Sequence, residues 1–161
     1  MLKQFAQKIE DLRRLIDDLR SASSVRFLLA VSGGMDSMCM ADLFLRSSGA
    51  DSFAMAHCNF SLRGDESDGD EAMVREWAQR NGVQLFVRNF DTVGYARENS
   101  ISIEMAARDL RYGWFNELCR EYGYDVLSVA HNANDNAETL MLNLLRGTGL
   151  NGLHGMSVVS E

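Results

Sequence analysis

The chain has 161 residues, 46% hydrophobic and 24% charged, and its 16 basic and 23 acidic side chains leave a net charge of −7. That length holds one domain able to hide roughly two-thirds of its unfolded surface. The acidic balance argues against a free-standing nucleic-acid binder, which carries a basic excess, but leaves room for an RNA substrate gripped mainly by another domain.

No apolar run approaches the ~18 residues of a membrane span and no signal peptide opens the chain, so no membrane partner and a cytoplasmic location are expected. Cys39, Cys58 and Cys119 are odd in number and form no CxxC, which indicates neither a disulfide framework nor a structural zinc site. Cys39 and Cys119 sit in apolar, helical contexts and read as core fillers.

Residues 1–20 place Leu2, Phe5, Ile9, Leu12, Ile16 and Leu19 at alternating three- and four-residue steps, the stripe of an amphipathic helix packed against the domain. Within the apolar run Val25 to Val31, Phe27 to Val31 then reads as a buried strand. It runs into Ser32-Gly33-Gly34-Met35-Asp36-Ser37 and a helix carrying Met38, Met40, Leu43 and Phe44. Strand, glycine turn and helix N-terminus together make an anion site, because the glycines admit close backbone approach and the first helical N–H groups point at the ligand. No Gly-Lys-Ser/Thr follows, so this is not a Walker loop, and the third glycine of a dinucleotide fingerprint is missing. The plainer reading is an ordinary βα turn with Asp36 or Ser37 capping the helix; all six residues after such a strand favour the ligand.

Further on, Asp51 to His57 is a second strand and Arg63 to Glu71 reads as a polar, solvated loop. Met73, Val74, Trp77 and Ala78 mark a helix ending near Gly82, and Val83 to Val87 is a third strand. Ser102 with Met105 opens a long helix that ends at Gly123. Asp125 to Ala130 is a fourth strand, and Ala137 to Arg146 reads as a helix stopped by Gly147. Strands alternating with helices predict an α/β domain with a parallel sheet, helices on both faces and ligands at the carboxyl ends of the strands.

The polar clusters fall at those ends. His57, followed by Asn59, is placed to touch adenine or ribose, or simply to hydrogen-bond locally. Glu104, Arg108 and Arg111 share one side of a helix, either as an ion-pair ladder or as guanidiniums facing phosphates. His131, Asp135 and Glu138 make a capping box or a negative pocket for an amine or metal; their spacing is not that of a zinc protease. Arg146 precedes four glycines and either serves a helix dipole or offsets charge on a leaving phosphate.

With these residues quoted, the chain from about Val25 to Met156 resembles the N-terminal catalytic domain of the tRNA(Ile)-lysidine synthases. These belong to the wider ATP pyrophosphatases, which share the Ser32–Ser37 pattern (the PP-loop). The narrower resemblance rests on His57-x-Asn59 with Leu62-Arg63-Gly64, Glu104 with Ala107-Arg108 and Arg111-Tyr112, and Ala130-His131 with Asp135 and Glu138-Thr139. It continues in Leu145-Arg146-Gly147-x-Gly149-Leu150 with Gly152-Leu153 and Gly155-Met156. The family often carries a second histidine just after the Asn59 position, where this chain has Phe60 and Ser61.

The resemblance implies a Rossmann-like, adenine nucleotide alpha hydrolase-like fold, with residues 1–161 forming a PP-loop ATP-binding catalytic domain. The family's C-terminal tRNA-binding domains are expected to be absent from this chain, which reads as a fragment. The implied reaction joins lysine to C2 of the wobble cytidine of tRNA(Ile) with a CAU anticodon, through an adenylated tRNA, releasing AMP and pyrophosphate. It implies ATP and Mg²⁺, free L-lysine as co-substrate, and leaves a homodimer open. In it Ser32, Gly33, Gly34, Met35, Asp36 and Ser37 hold phosphates with Asp36 near Mg²⁺, and Arg108 and Arg146 offset phosphate charge. Asp135 and Glu138 grip lysine, and His131 helps deprotonate its amine. The alternatives are another PP-loop enzyme, such as a tRNA thiolase, for which paired cysteines are wanting, and a non-catalytic nucleotide-binding module.

Overall fold

Phe27–Ala30, the apolar run before the glycine turn, is strand β1 and the centre of a five-stranded sheet. The computed structural model describes residues 2–20, 25–62, 64–130 and 140–143. Around β1 stand helix α1 (Leu2–Arg20), helix α2 (Met35–Ser48), a 3₁₀ turn (Ala50–Ser52), strand β2 (Phe53–Asn59), helix α3 (Asp65–Asn81) and strand β3 (Gln84–Asn89). Helices α4 (Thr92–Asn99) and α5 (Ile103–Tyr122) and strands β4 (Val126–Ala130) and β5 (Leu140–Asn143) complete the order.

The spatial order is β3-β2-β1-β4-β5. Strands β1 to β4 are parallel, with Phe27 opposite both Phe53 and Val126. The expected parallel α/β sheet is therefore present in four strands. The fifth departs from it: Leu140–Asn143, read from sequence as part of a helix over 137–146, pairs antiparallel with β4, Leu142 opposite Ser128. A short apolar run such as Leu140-Met141-Leu142 does not distinguish strand from helix by periodicity, and here pairing along the edge of β4 decides it.

Side-chain alternation along β1 splits the core in two. Phe27, Leu29 and Val31 face α1 and α2 through Phe5, Ile9, Ile16, Met40, Ala41 and Phe44, with Val74 of α3 on the same side. Leu28 and Ala30 face the opposite way, onto Trp114, Phe115, Leu118 and Cys119 of α5. Every residue of β1 is thus buried, as a central parallel strand requires. The stripe expected in residues 1–20 does pack against the domain. Helix α5 begins as its sequence predicts, with Ser102 Oγ accepting from Met105 N–H at 3.1 Å.

Two elements depart from the sequence reading between the strands. The acidic stretch expected as a loop is the first part of α3, which starts at Asp65. Acidic side chains oppose the positive end of the helix dipole, so they begin a helix as readily as they solvate a loop. Helix α4, unannounced by periodicity, starts where Asp91 accepts from Gly94 N–H at 2.9 Å.

Candidate functional site

The strand order reverses at β1, with β2 and β3 on one side and β4 on the other, and in such sheets ligands bind outside the carboxyl ends at that point. The turn after β1 lies there. Gly33 has φ +91°, a conformation that disfavours any side chain, and Gly34 is the N-terminal boundary of α2 with no side-chain cap. The plainer reading, in which Asp36 or Ser37 caps the helix, is therefore not the arrangement formed. Instead the buried Ser37 hydroxyl knits the turn: it donates to the Gly34 carbonyl at 2.9 Å and accepts from Ser32 N–H at 3.2 Å, while Ser32 Oγ accepts from Gly34 N–H at 3.3 Å. No side chain caps the N-terminus of α2, and such a helix end, with its amides unpaired by side chains, can receive an anion; Asp36 is exposed in the same turn.

His57 ends up beneath this turn. Its ring is 2% exposed, and Nδ1 bonds the Val31 carbonyl at 2.9 Å, the last peptide before the loop. A carbonyl oxygen only accepts, so Nδ1 donates, and Nε2 has no partner among the described residues. The local hydrogen bond allowed for in the sequence is thus formed. Direct contact with adenine or ribose is at odds with so buried a ring, whose visible task is to brace the start of the loop.

Asn59, two residues on and 3% exposed, makes a clamp that sequence reading missed. Its amide donates to Asp68 at 3.2 Å and Glu71 at 3.0 Å, and its carbonyl accepts from Ser61 N–H at 2.9 Å. The Asn59 donation, with further help from Arg75, holds the Glu71 carboxyl below its ordinary range. A lowered carboxylate pKa stabilises the fold above the ordinary value, so the clamp is intact at neutral pH and weakens only as acid carries Glu71 through its lowered pKa. The result is that the acidic start of α3 is fastened to the sheet's carboxyl edge. Asp70 closes on the loop there: a Cβ built on Gly33 would lie 2.9 Å from Asp70 Cβ and 3.2 Å from its Oδ1.

On the far side Arg108 lies over Tyr112 at 5.7 Å and Arg111 over Phe60 at 5.1 Å, and Phe60 stacks on Phe90 at 5.7 Å. The ion-pair ladder allowed for Glu104, Arg108 and Arg111 is not formed. Arg108 is exposed near the start of α5, which runs back from the carboxyl edge of the sheet. His131, Asp135, Glu138 and Arg146 lie outside the described residues, as does Arg63.

Among the described residues no three His, Cys, Asp or Glu side chains gather into a metal cage. Asp36, the metal residue expected from the sequence, is an exposed side chain in the first turn of α2. Among the same residues no helix is long and apolar enough to cross a membrane.

The cysteines divide by environment. Burial pushes the Cys58 thiol up to about 12, against the pull of the Arg111 and Arg88 charges, and the Cys119 thiol up to about 11. Cys39 is exposed, contrary to its reading as core, because it occupies the outer face of α2. Iodoacetamide near neutral pH is expected to alkylate Cys39 alone in the native protein, with Cys58 and Cys119 reacting only after unfolding; peptide mass mapping checks it.

Residues 1–161 match the PP-loop domain family. The chain belongs to that family. This PP-loop domain is 55% identical over 129 residues to a tRNA(Ile)-lysidine synthase of Porphyromonas gingivalis, covering 80% of the chain and 28% of the relative. To the enzyme of that name from Bacteroides thetaiotaomicron it is 48% identical over 131 residues, 81% of the chain and 30% of the relative. The PP-loop domain thus spans about a third of the length of these curated relatives.

Among solved structures it is similar to an NH3-dependent NAD synthetase from Campylobacter jejuni, with a TM-score of 0.61 and 12% identity over 82% of this chain and 57% of that one. It is also similar to a U34-tRNA thiolase from Methanococcus maripaludis, with a TM-score of 0.56 and 19% identity over 77% and 46%. At those identities the likeness shows the shared α/β fold. ATP is accordingly the ligand that this domain family takes.

Proposed function

We propose that the protein carrying this chain is a tRNA(Ile)-lysidine synthase that uses the loop to adenylate a wobble cytidine and then joins lysine to it. The observation that carries the reading is the uncapped, serine-knitted loop over 32–37 in a chain about half identical to relatives bearing that name. The C2 carbonyl oxygen of the cytidine attacks the α-phosphate of ATP, pyrophosphate leaves, and the lysine ε-amine then displaces AMP at C2.

In this reading the amides and hydroxyls from Ser32 to Ser37, Gly33, Gly34 and Met35 included, receive the pyrophosphate portion, and His57 steadies the loop from below. Mg²⁺, held by phosphates, water and Asp36, would offset phosphate charge. Arg108 and Arg146 add fixed positive charge where the α-phosphate reacts. Asp135 and Glu138 bind the lysine ammonium, and His131 accepts a proton as the amine becomes a nucleophile. The tRNA(Ile) with its CAU anticodon, the free lysine, a cytoplasmic location and a homodimer belong to the same reading.

The test follows labelled lysine into unmodified tRNA(Ile) with the intact protein and ATP. Incorporation that is lost in Asp36→Ala is expected. Absent incorporation, or equal incorporation by the variant, would overturn the assignment; sulfur transfer to the tRNA would make it a thiolase instead.

A further inference from the structure

The carboxylate of Asp70 stands beside the phosphate loop, where a binding site for a polyanion is least served by negative charge. It is not there by accident of an unanchored side chain. Asn59, itself buried, ties Asp68 and Glu71 down on either side of it, so the first turns of α3 cannot lift without breaking two hydrogen bonds. Asp70 Cβ and Oδ1 then lie against Gly33, at the one position of the loop with a positive φ. Among the described residues no cation is paired with Asp70, whereas Glu71 next to it is paired with Arg75 at 2.8 Å.

We propose that Asp70 makes this loop select cation-loaded over free nucleotide. Its carboxylate repels a bare triphosphate or pyrophosphate and tolerates one whose charge a divalent cation has reduced. Asn59 is the positioning residue that keeps Asp70 at that post. The inference rests on the loop being the ATP site and adds to it a cause for cation dependence that does not require Asp70 to be a ligand of the metal.

Calorimetric titration with a non-hydrolysable ATP analogue, in excess Mg²⁺ and in EDTA, tests it on the wild type, Asp70→Asn and Glu66→Gln. Glu66 is an exposed acid of the same helical turns, and the atoms nearest a Cβ at Gly33 all belong to Asp70, so the Glu66 variant changes net charge equally without removing that neighbour. Asp70→Asn is expected to tighten binding in EDTA about fivefold and to shrink the ratio of the two dissociation constants by a similar factor. Glu66→Gln is expected to leave that ratio as in the wild type.

An unchanged ratio in Asp70→Asn, or the same change in Glu66→Gln, would overturn the role of Asp70 while leaving the loop as the ATP site. Failure of the wild type to bind the analogue with Mg²⁺ would overturn the ATP reading, and the role of Asp70 with it.

Discussion

Replacing Gly33 by alanine is expected to weaken ATP binding about tenfold or more, whereas alanine at Gly34 is expected to cost much less. Gly33 has φ +91°, where an L side chain meets a backbone penalty of roughly 1–2 kcal/mol. Its new Cβ would also sit 2.9 Å from Asp70 Cβ, closer than two carbons tolerate. Since about 1.4 kcal/mol is tenfold in affinity, the backbone term alone reaches that size once the loop must regain its shape for the ligand. Gly34 has φ −70°, open to any residue, and its nearest obstacle is Ser32 Oγ at 3.3 Å, a side-chain atom that can rotate. Calorimetric titration of both variants reads the difference. Equal losses would mean that the loop backbone is not what holds the nucleotide.

Phe44→Ala is expected to destabilise the fold by about 3–5 kcal/mol, a large part of the ~5–15 kcal/mol a domain possesses. Phe44 is fully buried, its ring 5.2 Å from both Phe5 and Phe27 and 5.7 Å from Phe53. It therefore joins α1, α2, β1 and β2 at a single contact. Loss of the ring opens a cavity beneath α2, the helix whose N-terminus forms the loop, so a large drop in the urea midpoint is expected together with weakened nucleotide binding. A change under 1 kcal/mol would show that this packing does not carry the fold.

The turn over 32–37 was legible because its residue types are dictated locally: a buried strand, two glycines and a hydroxyl before a helix have few other uses. The parallel sheet was legible from strands that read as continuous apolar runs. The clamp was not, because Asn59, Asp68 and Glu71 meet only after β2 and α3 pack side by side, and an acidic run reads as solvated until a donor is placed next to it. The same holds for β5, whose apolar residues take their conformation from the free edge of β4 rather than from their own period. Cys39 was misplaced by its apolar neighbours in sequence; Met38 and Met40 turn toward the core and leave it on the outer face of α2.

The proposed activation of a tRNA base by adenylyl transfer is separated from the joining of lysine by withholding lysine. With ATP labelled at the α-phosphate, unmodified tRNA(Ile) and the intact protein, label is expected on the tRNA with unlabelled pyrophosphate released, and added lysine is expected to discharge it as AMP. Label that never reaches the tRNA, or that appears as ADP, would contradict adenylyl transfer to the base.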